Sequence, residues 1–131
     1  MTDYVMYCIY SKEAIKSMNG NRGKLAAMAG HAYLHAYWNG QEKAHENRYK
    51  QRNLCSLYKN SGLAKKVALV VDTTEDLVNL YDEIKDEAFG VTLIEDAGLT
   101  VFDGKTTVCM GVGPVAKESV PKSIGELRVL I

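Results

Sequence analysis

Apolar positions in this chain fall into short blocks separated by polar, turn-forming stretches. Tyr4 to Tyr10 is apolar on both faces and rich in β-formers, which predicts a strand buried on both sides. The polar stretch "MNGNRG" follows, and its glycines and asparagines mark turns. A helix is expected from Gly23 or Lys24 to Trp38, stopped by Asn39-Gly40, with a second helical segment over Gln41 to Asn60. "KKVALVVD" reads as another buried strand. In "TTEDLVNLYDEIKDEA", Leu77, Leu80, Tyr81 and Ile84 recur at helical spacing behind a Thr73 or Thr74 cap. "VTLIED" and "TTVCMGVGP" predict two more strands, the last stopped by Pro114, and a short helix and a terminal extended piece close the chain. Helices alternating with apolar strands predict an α/β fold with a mixed sheet of four strands, covered by helices on both faces.

Composition narrows this picture. A chain of 131 residues, 47% hydrophobic and 24% charged, fits one domain spanning 1–131. Its longest apolar runs are far too short to span a bilayer, and its first residues lack a secretory-signal pattern, so no membrane partner and a cytoplasmic setting are expected. Cys8, Cys55 and Cys109 have no CxxC spacing and read as buried reduced thiols. His31, His35 and His45 have no cysteine partner at metal spacing, so no metal site is expected. The net charge of zero hides a division. Up to Lys66 there are eleven basic against four acidic residues, and from Val67 onward five against twelve. That asymmetry suggests a polyanionic partner for one face, with a solvated helix face as the alternative.

The stretch "GKLAAMAGHA" (23–32) carries the unusual chemistry. On a helix, Lys24, Met28 and His31 stand at i, i+4 and i+7, among alanines and Gly30. Small residues allow close approach to a sheet, and such an approach would offset the helical cost of Gly30, roughly 1 kcal/mol. A lysine in the first turn opposes the helix dipole, which suggests pairing with a carboxylate or meeting a phosphate. A surface lysine and a packed histidine are the alternatives for Lys24 and His31.

With "KKVALVVD", "LIEDAGLT", "GKTTVCMGVGP" and "IGELRVL" following in order, nearly the whole chain resembles the peptidyl-tRNA hydrolase family of type 2. The resemblance implies a three-layer α/β/α sandwich and a cofactor-free hydrolase that cleaves the ester between a peptide and tRNA, often as a homodimer. It assigns the chemistry to Lys24, Asp96 and Thr100, with His31 matching the family's histidine. The chain departs from the family pattern at Met28, Leu99, Val101 and Val108, where glutamine, arginine, glutamine and threonine are usual. These departures would remove polar contacts from the cleft rim, and they keep a second reading open: a weakened or inactive RNA-binding module of the same fold. Given a tRNA substrate, Arg22, Lys43, Arg48, Lys50, Arg52, Lys65 and Lys66 become candidates for phosphate contact. Tyr33, Tyr37 and Trp38 read as core or interface residues, with base stacking as the alternative.

Overall fold

The computed structural model describes residues 2–46, 53–96 and 106–131. Strand β1 (Tyr4–Ser11) runs through the middle of the sheet, and β2 (Lys66–Val71) lies parallel to it. On its other side β4 (Thr106–Ala116) is antiparallel, and β3 (Val91–Asp96) is antiparallel to β4. A two-residue strand, β5 (Arg128–Val129), pairs antiparallel with β2 through Leu69↔Val129 and Val70↔Arg128. The order β3-β4-β1-β2-β5 makes a mixed sheet of five strands, where the sequence pattern predicts four. Two residues are too short to leave an alternation in the sequence, and the pairing with β2 is what makes the terminal piece a strand.

Among the described residues five α-helices accompany the sheet: α1 (Lys12–Ser17), α2 (Arg22–Ala44), α3 (Leu54–Ser61), α4 (Thr74–Ile84) and α5 (Lys122–Gly125). A 3-10 turn over Lys117–Ser119 precedes α5. α4 follows its pattern closely. Thr73 and Asp76 form a reciprocal capping box, and Leu77, Leu80 and Ile84 are buried. α1 occupies part of what reads as loop; the Ser11 hydroxyl caps it by accepting from the Ala14 amide at 3.2 Å. α2 does not stop at Asn39-Gly40. The Asn39 side chain accepts from the Val91 amide at 2.9 Å, and Gly40 lies where a Cβ would come 3.2 Å from the Cys55 sulfur. Tertiary contacts therefore use both supposed stop residues within the helix. Likewise β4 continues past Pro114, through a cis Gly113–Pro114 peptide, to pair Val115 with Val5 and Ala116 with Tyr4.

The alternation along β1 sorts its side chains between two sides. Val5, Tyr7 and Ile9 join a cluster with Leu77, Leu80 and Ile84 of α4 and Ile124 of α5. Cys8 and Tyr10 pack with Ala14, Met28 and Ala32 of α1 and α2, and Met6 packs with Ala36 of α2 and Tyr58 of α3. All three cysteines are buried and unpaired.

α2 approaches the sheet more closely than ordinary side chains allow. A Cβ on Gly111 would lie 1.9 Å from the Ala32 carbonyl oxygen, and one on Gly90 would lie 1.9 Å from that of Ala36. Gly111 of β4 and Gly90, just before β3, thus face helix alanines. Gly30 has no part in this: it is exposed, and a Cβ there would meet nothing within 4 Å. The close approach expected at Gly30 occurs instead at Ala32 and Ala36, on the buried side of the helix.

The far end of α2 is held by Lys43. Its ammonium donates to the carbonyl oxygens of Lys85, Glu87 and Phe89, each at 2.8 Å. This corrects the assignment of Lys43 to phosphate contact: the residue is 5% exposed and serves as a cap for the segment between α4 and β3. A buried ammonium is tolerable because its donors are satisfied by carbonyls with few other partners.

Two expectations follow. Gly111→Ala should lower stability by about 3 kcal/mol through forced displacement of α2, whereas Gly30→Ala should raise it by roughly 0.5–1 kcal/mol; urea unfolding of both variants checks the contrast. Lys43→Met should cost about 2–4 kcal/mol by leaving the Phe89 carbonyl buried without this partner and releasing those of Lys85 and Glu87, read as a lower urea midpoint at unchanged slope.

Candidate active site

β1, β2 and β3 all run in the same direction, since β3 and β1 are each antiparallel to β4. Their carboxyl ends, at Ser11, Val71 and Asp96, therefore share one edge of the sheet. Open α/β sheets commonly place ligand sites beyond such an edge. α2 starts there, and the Asn21 side chain caps it by accepting from the Lys24 amide at 3.0 Å.

At this edge Lys24 and Asp96 form an ion pair between the Lys24 ammonium and Asp96 Oδ2. Asp96 is 6% exposed and Lys24 15%. A carboxylate buried to this degree needs compensation, and the lysine supplies it as a charge-assisted contact. The lysine in turn has its reason for opposing the helix dipole. Asp96 is the last residue of β3, in register with Thr106 at the start of β4, so it stands where the sheet gives way to its margin.

Tyr10 holds the first turn of α2 that carries the lysine, a role not evident in the sequence. Its hydroxyl donates to the Leu25 carbonyl in the first turn of α2. Burial, with Cys8 and Cys109 beside it, pushes the phenol above its ordinary range, so the group remains a protonated donor. The signal in the sequence is slight: a tyrosine near the end of an apolar strand, which reads as core. Cys109 lies close by, with its sulfur 3.6 Å from the Met28 carbonyl, and its neighbour Cys8 and burial both push its thiol up. Burial alone raises the Cys55 thiol to about 11. These two cysteines are therefore held as thiols rather than nucleophilic thiolates.

The other candidate residues are dispersed. His31 is on the solvent side of α2, with its ring centroid 6.2 Å from that of His35, and the structure does not bring it to the ion pair. Met28 and Val108 are buried in the apolar cluster with Cys8 and Tyr10. Two of the four departures thus fill the core rather than strip the cleft rim. Thr100, Leu99 and Val101 lie outside the described residues, as do Arg48, Lys50 and Arg52. Arg22 is exposed at the start of α2, beside the site. Lys65 pairs with Asp3 at 2.9 Å and holds that carboxyl below its ordinary range. Lys66 donates to the Tyr58 hydroxyl at 3.2 Å and the Ala64 carbonyl at 2.9 Å, and lies over the Tyr33 and Tyr58 rings. Tyr33 and Tyr37 are half-buried against the core, while Trp38 is 48% exposed.

The chemistry available at the edge is specific: a carboxylate able to orient or deprotonate water, and an ammonium beside it able to stabilise an oxyanion. Comparison with known proteins agrees with the sequence resemblance. The family model described as peptidyl-tRNA hydrolase PTH2 matches residues 5–130. Among curated relatives, a peptidyl-tRNA hydrolase of Methanopyrus kandleri is 32% identical over 84% of this chain and 87% of its own length. The enzymes of the same name from Methanococcus maripaludis and Methanothermobacter thermautotrophicus are 30% and 28% identical, each over 83% of this chain and 87% and 88% of their own lengths.

Proposed function

We propose that this chain, which belongs to the peptidyl-tRNA hydrolase PTH2 family, itself hydrolyses the ester linking a peptide to tRNA, returning free tRNA to translation. The observation that carries this reading is the pair formed by Lys24 and Asp96 at the carboxyl edge of the sheet. Asp96 orients a water and accepts its proton as the water attacks the ester carbonyl carbon. Lys24 stabilises the oxyanion that develops on the carbonyl oxygen. Collapse of the tetrahedral intermediate expels the ribose oxygen of the terminal nucleotide, which takes up a proton, and leaves a peptide carboxylate. Thr100 contributes a hydrogen bond to the water or the substrate in this reading, while His31, on the solvent side of α2, has no assigned step. The chain requires no cofactor for these steps.

Arg22, Arg48, Lys50, Arg52, Lys65 and Lys66 are the proposed phosphate contacts, with Lys43 removed from the set by its burial. The exposed position of Arg22 beside Lys24 supports it best. Contacts of this kind give affinity without reading sequence. The proposal includes a single domain arranged as a three-layer α/β/α sandwich, supported by the sorting of β1 side chains between α4 and α2. It also includes a cytoplasmic setting, where peptidyl-tRNA arises, and assembly as a homodimer, which sedimentation of the purified chain tests.

The decisive assay is hydrolysis of purified N-acetyl-aminoacyl-tRNA. The parent should cleave it, and Asp96→Asn should reduce turnover by at least about a hundredfold while binding tRNA as before. Lys24→Ala should reduce turnover by a comparable factor. A parent that binds tRNA but never cleaves it would overturn the reading. Filter binding between about 50 and 200 mM salt should show a steep loss of affinity, and Arg22→Ala should reduce the slope of log K against log salt by about 1.

A further inference from the structure

From Leu25 to Gln41 the chain has no lysine, arginine, aspartate or glutamate. The solvent side of α2 over this stretch carries His31, Leu34, His35 and Trp38, all exposed. The two histidines are separated by four positions, so they project from the same face one turn apart. Their ring centroids are 6.2 Å apart with planes tilted by 60°. Among the described residues neither ring takes part in a hydrogen bond or ion pair with the protein. His35 meets Trp38 edge-on, with centroids 5.3 Å apart.

We propose that His31 and His35 together bind a divalent transition-metal ion of the Cu2+, Ni2+ or Zn2+ class on the solvent face of α2. The ligand chemistry is neutral imidazole, which this class of ion prefers over Mg2+ or Ca2+. Geometry permits it. An ion bound about 2.0–2.1 Å from a ring nitrogen lies about 3 Å from that ring's centroid, so two rings can share it at centroid separations up to about 6 Å. The observed spacing is at that limit, and a small rotation of either exposed side chain closes it.

No lysine or arginine lies within the stretch to repel the cation, and the pair is not engaged by the core. No grouping of three or more histidine, cysteine or acidic side chains able to hold a metal occurs among the described residues. The site is therefore a two-ligand one, with its remaining positions filled by water, and differs in kind from a closed structural zinc site. It stands apart from the Lys24–Asp96 pair and does not depend on the hydrolase reading.

Trp38 makes the proposal directly measurable, because it is the single tryptophan of the chain and lies against His35. Copper(II) sulfate titrated into the untagged full-length chain, in a non-chelating buffer, should quench its fluorescence saturably at one ion per chain. EDTA should restore the signal. His31→Ala and His35→Ala should each weaken the binding at least tenfold, while His45→Ala, at the distant end of α2, should leave it unchanged. Calorimetry with Ni2+ and Zn2+ should give weaker binding than with Cu2+, following the general order for nitrogen ligands. Circular dichroism of the variants should match the parent, since both histidines are exposed. Quenching that never saturates, or that is the same in the parent and both pair variants, would overturn the proposal. Loss of binding in His45→Ala alone would also overturn it.

Discussion

The contact on which the arrangement depends is the backbone-to-backbone approach of α2 to the sheet at Ala32–Gly111 and Ala36–Gly90. At these points the sheet presents glycine, so the helix carbonyls lie where a Cβ would otherwise be. A helix seated this deeply has its axis fixed in direction and height by close packing that a side-chain rearrangement cannot relax. Its amino end is thereby set against the carboxyl ends of the strands, and its carboxyl end against the loop leading into β3.

Two lysines mark those ends, and their environments decide opposite uses. Lys24 meets a carboxylate at the margin of the sheet, beyond the carboxyl ends of the parallel strands. Lys43 donates to three backbone carbonyls, where it ties α2 to the segment preceding β3. The same strand that Lys43 anchors at its start ends in Asp96, the partner of Lys24. Position along one rigid helix therefore separates a lysine paired with a carboxylate from one held by backbone carbonyls.

Beneath the pair the packing is apolar but not featureless. Tyr10 holds the first turn of α2 by its carbonyl, and the Met28 and Val108 side chains fill the adjoining core. These hydrophobic groups are thus absorbed as core volume, which packing accepts when total volume is kept. The carboxylate at the rim retains its lysine without help from those positions.

Much of this was legible in the sequence, because local patterns and tertiary demands agree there. β1 is apolar on both faces because both are covered, and α4 has its cap, its acidic first turn and its apolar stripe. The ordered segments from "GKLAAMAGHA" to "IGELRVL" were enough to identify the family and to single out Lys24 and Asp96. The sequence could not determine the features set by long-range contact. Asn39-Gly40 is a stop signal until Val91 and Cys55 occupy it, and two terminal residues are a tail until β2 pairs with them. Lys43 resembles every other lysine in a basic stretch until three distant carbonyls converge on it. His31 matches the spacing of Lys24 yet faces solvent, because only the seating of α2 on the glycines decides which side of that helix is inside. Periodicity fixes which residues share a face; tertiary packing alone decides what that face meets.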